Sequence, residues 1–513
     1  MRKPALTGGL TGGPDHQHGH LLREKQKVST PSETRRVRTA ILGGGIAGLS
    51  AAWQLKRSGW KGVELFELQE SPGGNSRYAT YPASAAPWAA HYLPVPTEES
   101  RAVRELLTEM GLMSTDSTGQ IQYDERHLCH PQQERLWYRG RWHDSLVPEK
   151  ELSATELEQW EDFKAEIGRW QTYRDSDGKK AFAIPISESS KDPDLLKLDT
   201  LSFADYARDR GWTSTFVSWL LEYATRDDYG AGLGQVSAWA GLHYFAARDG
   251  GGFRDADALF VWPEGNGHLV RYLRDSLPYP IHTSHLVTRV QAGPTVEIDL
   301  FETSTRKTVR IEAENCLYCL PAFQRTYHMQ EDKYAGQYAP WVTANLVLER
   351  SPAEKTAFSE PAWDNVIYDS TSLGYVVATH QSKAMSNAGS NVWTWYKSFP
   401  NEDPSEVRRH LLESRWDRWK DEILADLRTV HTDIDQVTRR IDVALFGHAM
   451  IVPAVGTIWG SELERIRAPL ENVWFAHSDL SGISVFEEAQ YRGVLAAEQL
   501  MKSRGFIFPT LLS

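Results

Sequence analysis

Val37-Arg38-Thr39-Ala40-Ile41-Leu42-Gly43-Gly44-Gly45-Ile46-Ala47-Gly48 sets the architecture of this chain. A short β-like run ends at Leu42 and a glycine-rich turn follows. Leu49–Ser58 then reads as a helix that Gly59 stops, and Val63–Leu68 is a second β-like run. Within this strand–turn–helix–strand unit, residues 43–48 match GxGxxG. Gly43 permits the tight turn, Gly45 lets the backbone approach a pyrophosphate, and Gly48 lets helix and strand pack closely. Ile46 and Ala47 open the helix, whose first N–H groups face the phosphates. Glu67, followed by Leu68, lies 19 residues beyond Gly48, close to the usual spacing of about 20 for a ribose-binding carboxylate.

Composition bounds the rest. The 513 residues suit two large domains or a few smaller ones. Lys and Arg number 56 against 68 Asp and Glu, a net charge of −12, which argues against a nucleic-acid binder. An apolar fraction of 41% excludes disorder as the main state, and three cysteines exclude a disulfide scaffold. The uncharged stretch Thr39–Leu55 spans 17 residues, short of the roughly 20 that cross a membrane, so no integral membrane segment is expected. No signal peptide follows Met1-Arg2-Lys3-Pro4, and Arg35-Arg36 reads as the approach to the first strand, so a soluble, cytoplasmic protein is the default. A longer chain with an export leader would be periplasmic.

No metal is expected. Asp15, His16, His18 and His20 cluster on an irregular segment that reads as a solvated tail. Cys316 and Cys319 are three apart on a strand and face opposite sides, with no second pair for zinc. His127, Cys129 and His130 lack a full ligand set.

Residues 1–35 form a polar extension, mostly loop or a strap on the surface. Glu98–Met110 is a helix candidate capped by Thr97, and Ser153-Ala154-Thr155-Glu156 is a capping box opening a helix toward Tyr173. Ser214–Ala224, Ser237–Ala247 and Ser405–Leu427 are further helices. Leu286–Val290, Val296–Phe301, Thr308–Ile311, Trp341–Leu348, Val392–Tyr396 and Arg440–Phe446 have strand character.

Four more segments carry a resemblance. Ser71-Pro72-Gly73-Gly74-Asn75-Ser76-Arg77 follows the second strand; Trp262-Pro263-Glu264-Gly265-Asn266-Gly267 precedes a helix; His285-Leu286-Val287-Thr288-Arg289-Val290 leads through strands to Cys319-Leu320-Pro321; Phe475-Ala476-His477-Ser478-Asp479 precedes Val485-Phe486-Glu487-Glu488-Ala489. Together with the glycine motif these resemble the flavin amine oxidase and carotenoid desaturase superfamily. The resemblance implies FAD as cofactor. It implies an α/β fold with a discontinuous Rossmann-like FAD-binding domain at 36–135, 256–333 and 465–513, and an inserted α+β substrate domain at 136–255 and 334–464. Gly73, Gly74, Asn75 and Arg77 would run along the pyrophosphate, Val287 would face adenine, and Asp479 would bind the ribityl chain. Val485 and Phe486 would approach the flavin, and Glu488 stands where glycine is common.

The implied activity is hydride removal from a small organic substrate, with reoxidation by dioxygen or another acceptor. The alternatives are a desaturase or isomerase on an apolar substrate, and a flavin-binding protein without turnover. Val342-Thr343-Ala344-Asn345-Leu346 lacks the lysine that amine oxidases often carry, which leaves an amine substrate unsupported. Trp88-Ala89-Ala90-His91-Tyr92 stands where relatives pass the flavin ring. His91 and Tyr92 are therefore catalytic candidates, with core packing as the alternative. Trp88, His243, His380, Trp395 and His448 are substrate-pocket candidates, again weighed against plain core.

Overall fold

Two sheets organise the molecule. The computed structural model describes residues 5–24, 28–329, 331, 334–356, 362–381 and 389–512. The first sheet places Pro31–Leu42 between Val63–Phe66 and Lys307–Tyr318, all parallel, with Ile281–His282 beyond Val63–Phe66. Val473–Phe475 runs parallel to the end of Lys307–Tyr318, whose earlier part pairs antiparallel with Val296–Glu302, which in turn pairs antiparallel with His285–Gln291. The helix Ile46–Arg57 is buried along nearly its whole length and packs against Phe486–Ser503. Their closest approach is at Gly493, where a Cβ would sit 2.2 Å from the Ala47 carbonyl oxygen.

The second sheet has eight strands. Third from one edge is Tyr338–Leu348, antiparallel to Asn391–Ser398 on one side and to Thr438–Ile451 on the other. Alternation gives this strand two apolar faces. Ala339 and Trp341 join the core under the helices Ala154–Thr172, Thr215–Tyr229 and Ala238–Ala246. Val342, Ala344 and Leu346 join the opposite core, against Trp419, Ile423 and Leu427 of Trp416–Leu427. Each fully buried Leu, Ile, Val or Phe contributes about 1.5–3 kcal/mol, so burial on both faces stabilises the sheet between its helices.

Several boundaries differ from expectation. The first strand begins at Pro31, since Arg35 pairs with Glu64 and Arg36 with Glu312 on neighbouring strands. The polar extension is not merely a surface tail, because Thr7–Leu10 adds a parallel edge strand to the second sheet. The helix expected at Glu98 starts at Arg101 with Ser100 as its cap position, and Thr97 instead donates to the Ile184 carbonyl. Ser153 and Glu156 form the reciprocal capping box as read, and that helix runs to Thr172. The expected helix Ser405–Leu427 is two, Pro404–Glu413 and Trp416–Leu427, interrupted where Ser414 and Arg415 are extended.

Candidate functional site

The glycine turn is built by backbone demands. Gly43 has φ +99, and its N–H donates to the Phe66 carbonyl at 2.8 Å, tying the turn to the second strand. A Cβ on Gly48 would lie 1.9 Å from the Gly43 carbonyl oxygen, so only glycine allows the helix to start this close. Gly45 is extended at the cap position of Ile46–Arg57, which has no side-chain cap and no acidic residue in its first turn. A Cβ on Gly45 would meet nothing within 4 Å. Unpaired N–H groups therefore face open space, the arrangement that receives a phosphate.

Glu67 closes the turn from below. Its Oε2 accepts the Gly44 N–H at 2.6 Å and its Oε1 accepts the Gln69 N–H at 2.8 Å. Burial pushes its pKa up, while the two N–H groups and Arg77 oppose that shift. The second glycine pair is stitched on by Gly73 N–H to the Gly44 carbonyl at 2.7 Å. Gly73 and Gly74 have φ +132 and +56, conformations that glycine adopts without strain.

These parts surround one cavity of about 1940 Å³, roughly twice the upper end of the usual range for a drug-sized ligand. Every position expected to hold the dinucleotide except Gly48 lines it: Gly43, Gly45, Ile46, Ala47, Glu67, Leu68, Gly73, Gly74, Asn75, Arg77, Val287, Asp479, Val485 and Phe486. Gly48 serves packing. The Asp479 carboxylate accepts the Ala322 N–H at 2.8 Å and the Tyr338 hydroxyl at 2.5 Å, and His477 Nδ1 lies 3.0 Å away. Burial works against its charge, but His477, Tyr338 and the Ala322 N–H hold its pKa below the usual range. Asn75 Nδ2 donates to the Ala449 carbonyl at 2.8 Å. Glu488 points away, accepting the Ile186 N–H at 2.5 Å. A long cavity with open helix N–H groups at the glycine turn and carboxylates at Glu67 and Asp479 fits FAD.

Behind the segment Ala89–Tyr92 lies a second group of polar side chains. Ala90 lines the dinucleotide cavity, and its carbonyl accepts the Asn266 N–H at 3.0 Å. The His91 ring stands 5.2 Å from Tyr92, 5.6 Å from Trp363 and 5.3 Å from Tyr396. Burial lowers the His91 pKa to about 4, so its ring is neutral near pH 7. With Nδ1 2.9 Å from the Ala89 carbonyl, Nδ1 carries the hydrogen and Nε2 is the acceptor. Burial raises the pKa of Tyr92.

Asp227, Asp228, Arg248 and Asp364 gather beside Tyr92, Tyr244 and Tyr396. Burial, then Asp228, raises Asp227 to about 7. Burial works against the Arg248 charge, and Asp228, 3.6 Å away, outweighs it. Burial, then Asp227 and Glu134, raises Asp364, whose Oδ1 accepts the Tyr396 hydroxyl at 3.0 Å. Asp227, Arg248, Asp364, His91, Tyr92 and Tyr244 are all half-buried. Sequence reading found His91 and Tyr92 but missed the acids. The usable signal was periodicity: Asp227 follows Phe216, Leu220 and Tyr223 on the apolar face of its helix.

The remaining pocket candidates separate. His448 lines the dinucleotide cavity, stacked on Phe323 at 4.4 Å. Trp88 packs in the core beneath Gly12. His243 is a core residue: it stacks on Trp239 at 5.0 Å, and its Nε2 lies 3.0 Å from the Ala183 carbonyl. Trp395 faces the other side of the second sheet, where Nε1 donates to Asp426 at 2.7 Å. His380 sits 3.0 Å from the His130 carbonyl, away from the cavity. Cys316 and Cys319 are buried and free, with burial raising both thiols. Among the described residues no group of three or more His, Cys, Asp or Glu is arranged for a metal, and no helix is long and apolar enough to cross a membrane.

Residues 41–110 match the NAD(P)-binding Rossmann-like domain family. No curated protein matches the chain. Solved structures of similar fold include wild-type putrescine oxidase bound to putrescine, at TM-score 0.64 and 14% identity, covering 91% of this chain and 100% of that one. The CLA-producing fatty acid isomerase from P. acnes matches at TM-score 0.63 and 15% identity, over 92% and 99%. Cyclohexylamine oxidase from Brevibacterium oxydans IH-35A matches at 0.59 and 16%, over 90% and 99%. At these identities the likeness is one of fold.

Proposed function

Taking the fold of the flavin amine oxidase-like superfamily as its frame, we propose that this protein is an FAD-dependent oxidoreductase that removes a hydride from a small organic molecule. The observation that carries this reading is the cavity that brings the glycine turn, Glu67, Val287 and Asp479 to one wall. Bound FAD supplies the two-electron acceptor for a substrate C–H bond, and dioxygen or another acceptor reoxidises it.

The chain's own residues bind, orient and handle protons. The N–H groups of Ile46 and Ala47 would hold the pyrophosphate, and Glu67 holds the glycine turn through the Gly44 N–H. Ala90, Val485 and Phe486 line the same cavity and would border the flavin end. His91 Nε2, kept as an acceptor by the Nδ1–Ala89 contact, takes a hydrogen bond from the substrate or a proton from it. Asp227, at about 7, exchanges a proton near neutral pH. Trp363 and Tyr396 pack against His91 and exclude water.

A second reading is a desaturase or isomerase acting on an apolar substrate. The aromatic ring group around His91 and the lysine-free strand Tyr338–Leu348 favour it. The charged group Asp227, Asp228 and Arg248 favours a polar substrate instead.

Purified protein is expected to be yellow and to release FAD on denaturation. Anaerobic bleaching against amines, amino acids, alcohols and isoprenoids separates the two readings by which class bleaches the flavin. Folded protein that stays colourless after reconstitution with FAD overturns both.

A further inference from the structure

We propose that the N-terminal segment from Thr7 to Arg23 is the outer wall of the dinucleotide cavity and closes over the bound dinucleotide. The inference rests on the FAD reading above. Three observations carry it.

The segment is anchored at both ends of the cavity. Thr7–Leu10 pairs in parallel with Arg440–Val443, and the Thr11 N–H continues the ladder to the Val443 carbonyl at 2.7 Å. At the other end Leu22 is buried against Leu286 and Phe301, beside the expected adenine position Val287. The chain between these anchors crosses from the second sheet to the first.

The crossing is pressed against the cavity rim. Gly12 has φ +77, and a Cβ there would lie 2.3 Å from the Trp88 ring; on Gly13 it would lie 2.7 Å from the Leu445 carbonyl oxygen. Arg77 Nη2 donates to the Gly12 and Gly13 carbonyls at 3.1 Å each. An arginine expected to run along the pyrophosphate is thus spent holding the strap. The histidine cluster acquires a structural explanation too, since Asp15 accepts the His18 N–H at 3.0 Å and its Oδ2 lies 2.5 Å from His18 Nδ1.

The inner surface of the strap belongs to the cavity. Gly12, Asp15, His16, Gln17, His20 and Arg23 line it together with Gly45, Glu67 and Asp479. His20 and Arg23 approach Arg408 and His448 from the facing elements. Arg23 and Arg408 bring positive charge to this end of the cavity, whereas burial lowers the pKa of His20 and takes that of His448 to about 4; Asp479, Asp403 and Glu24 are the nearby acids. A dianionic pyrophosphate suits that balance. A dinucleotide held against this wall would leave more readily once the strap lifts.

Two measurements test this. In the full-length protein, trypsin cleavage after the exposed Arg23 should slow at least tenfold when FAD is added, relative to cleavage elsewhere in the chain. FAD release, followed by the fluorescence of the freed flavin after dilution, should speed up at least tenfold when residues 1–23 are deleted. The variant Gly12→Val should do the same, since its side chain meets the Trp88 ring and lifts the strap without altering the glycine turn. If the deletion fails to fold, Gly12→Val and the wild-type cleavage pattern decide. FAD binding with unchanged cleavage at Arg23, or unchanged release from the folded variants, overturns the strap's role and leaves the FAD reading intact. No FAD binding by the wild type overturns both.

Discussion

Arg248 Nη2 lies 3.6 Å from Asp228 Oδ1. The pair sits where Thr215–Tyr229 and the chain just past Ala238–Ala246 meet, next to Tyr92 and Glu487. Breaking such a pair leaves a buried charge without its partner. Arg248→Met should therefore destabilise the protein by about 3 kcal/mol, the low end for a buried pair, because Arg248 keeps 21% of its side chain accessible. Chemical denaturation followed by tryptophan fluorescence measures it. A change within about 0.5 kcal/mol, the range of ordinary surface substitutions, would mean the pair carries no structural load.

Asp227 makes stability depend on pH. Its pKa is raised in the folded state from 3.8 to about 7 by burial and by Asp228. The folded protein therefore binds a proton that the unfolded chain has lost. The acid costs nothing below about pH 4. The cost grows as pH rises through the window from 3.8 to about 7, and is complete above it, on the order of 4 kcal/mol. Asp227→Asn should flatten this part of the stability profile. It should also remove an inflection near pH 7 from substrate-driven flavin reduction. A wild-type profile already flat between pH 4 and 7 would rule the shift out.

Glu67→Ala should weaken FAD binding at least tenfold. A charge-assisted hydrogen bond contributes about 1.5–3 kcal/mol, and about 1.4 kcal/mol is a factor of ten. The structure adds a second cause, since the same carboxylate holds the Gly44 and Gln69 N–H groups. Glu67→Gln keeps an acceptor for one of them and should lose less. Titration of apoprotein with FAD reads both variants, and equal affinity for wild type and Glu67→Ala would show that the turn holds without this side chain.

His91→Ala should slow flavin reduction by roughly 10²-fold, the low end for a general acid–base group, while FAD content stays near wild type. The ring packs beside Trp363 and does not line the dinucleotide cavity. Because its pKa is about 4, the neutral ring acts from pH 5 upward, so His91 should add no inflection between pH 5 and 8. Rapid-mixing reduction on matched flavin-loaded samples is the measurement. An unchanged rate together with lower thermal stability would make His91 a packing residue against Trp363 and Tyr396.

Local chemistry made the dinucleotide half of this protein legible from its residues alone. Gly43, Gly45 and Gly48 answer demands of turn and close packing that act within six residues, and Glu67 follows at the spacing the second strand imposes. The capping box at Ser153 is legible for the same reason, since both partners lie in one helical turn. The second sheet and its helices were not. Trp395 and Tyr396 are neighbours in sequence, yet one packs against Asp426 and the other against His91, and only sheet register decides which face each takes. Asp227 and Asp364 are 137 residues apart and meet only because a helix packs on a sheet. A surface strap was among the sequence readings, but its seat was hidden for a like reason: nothing in Gly12-Gly13-Pro14-Asp15 specifies Arg77, Trp88 and Leu445 as its partners. Turns, caps and phosphate loops are set by neighbours along the chain, whereas walls, chambers and ion pairs are set by which surfaces bury each other, and that is decided only when the layers pack.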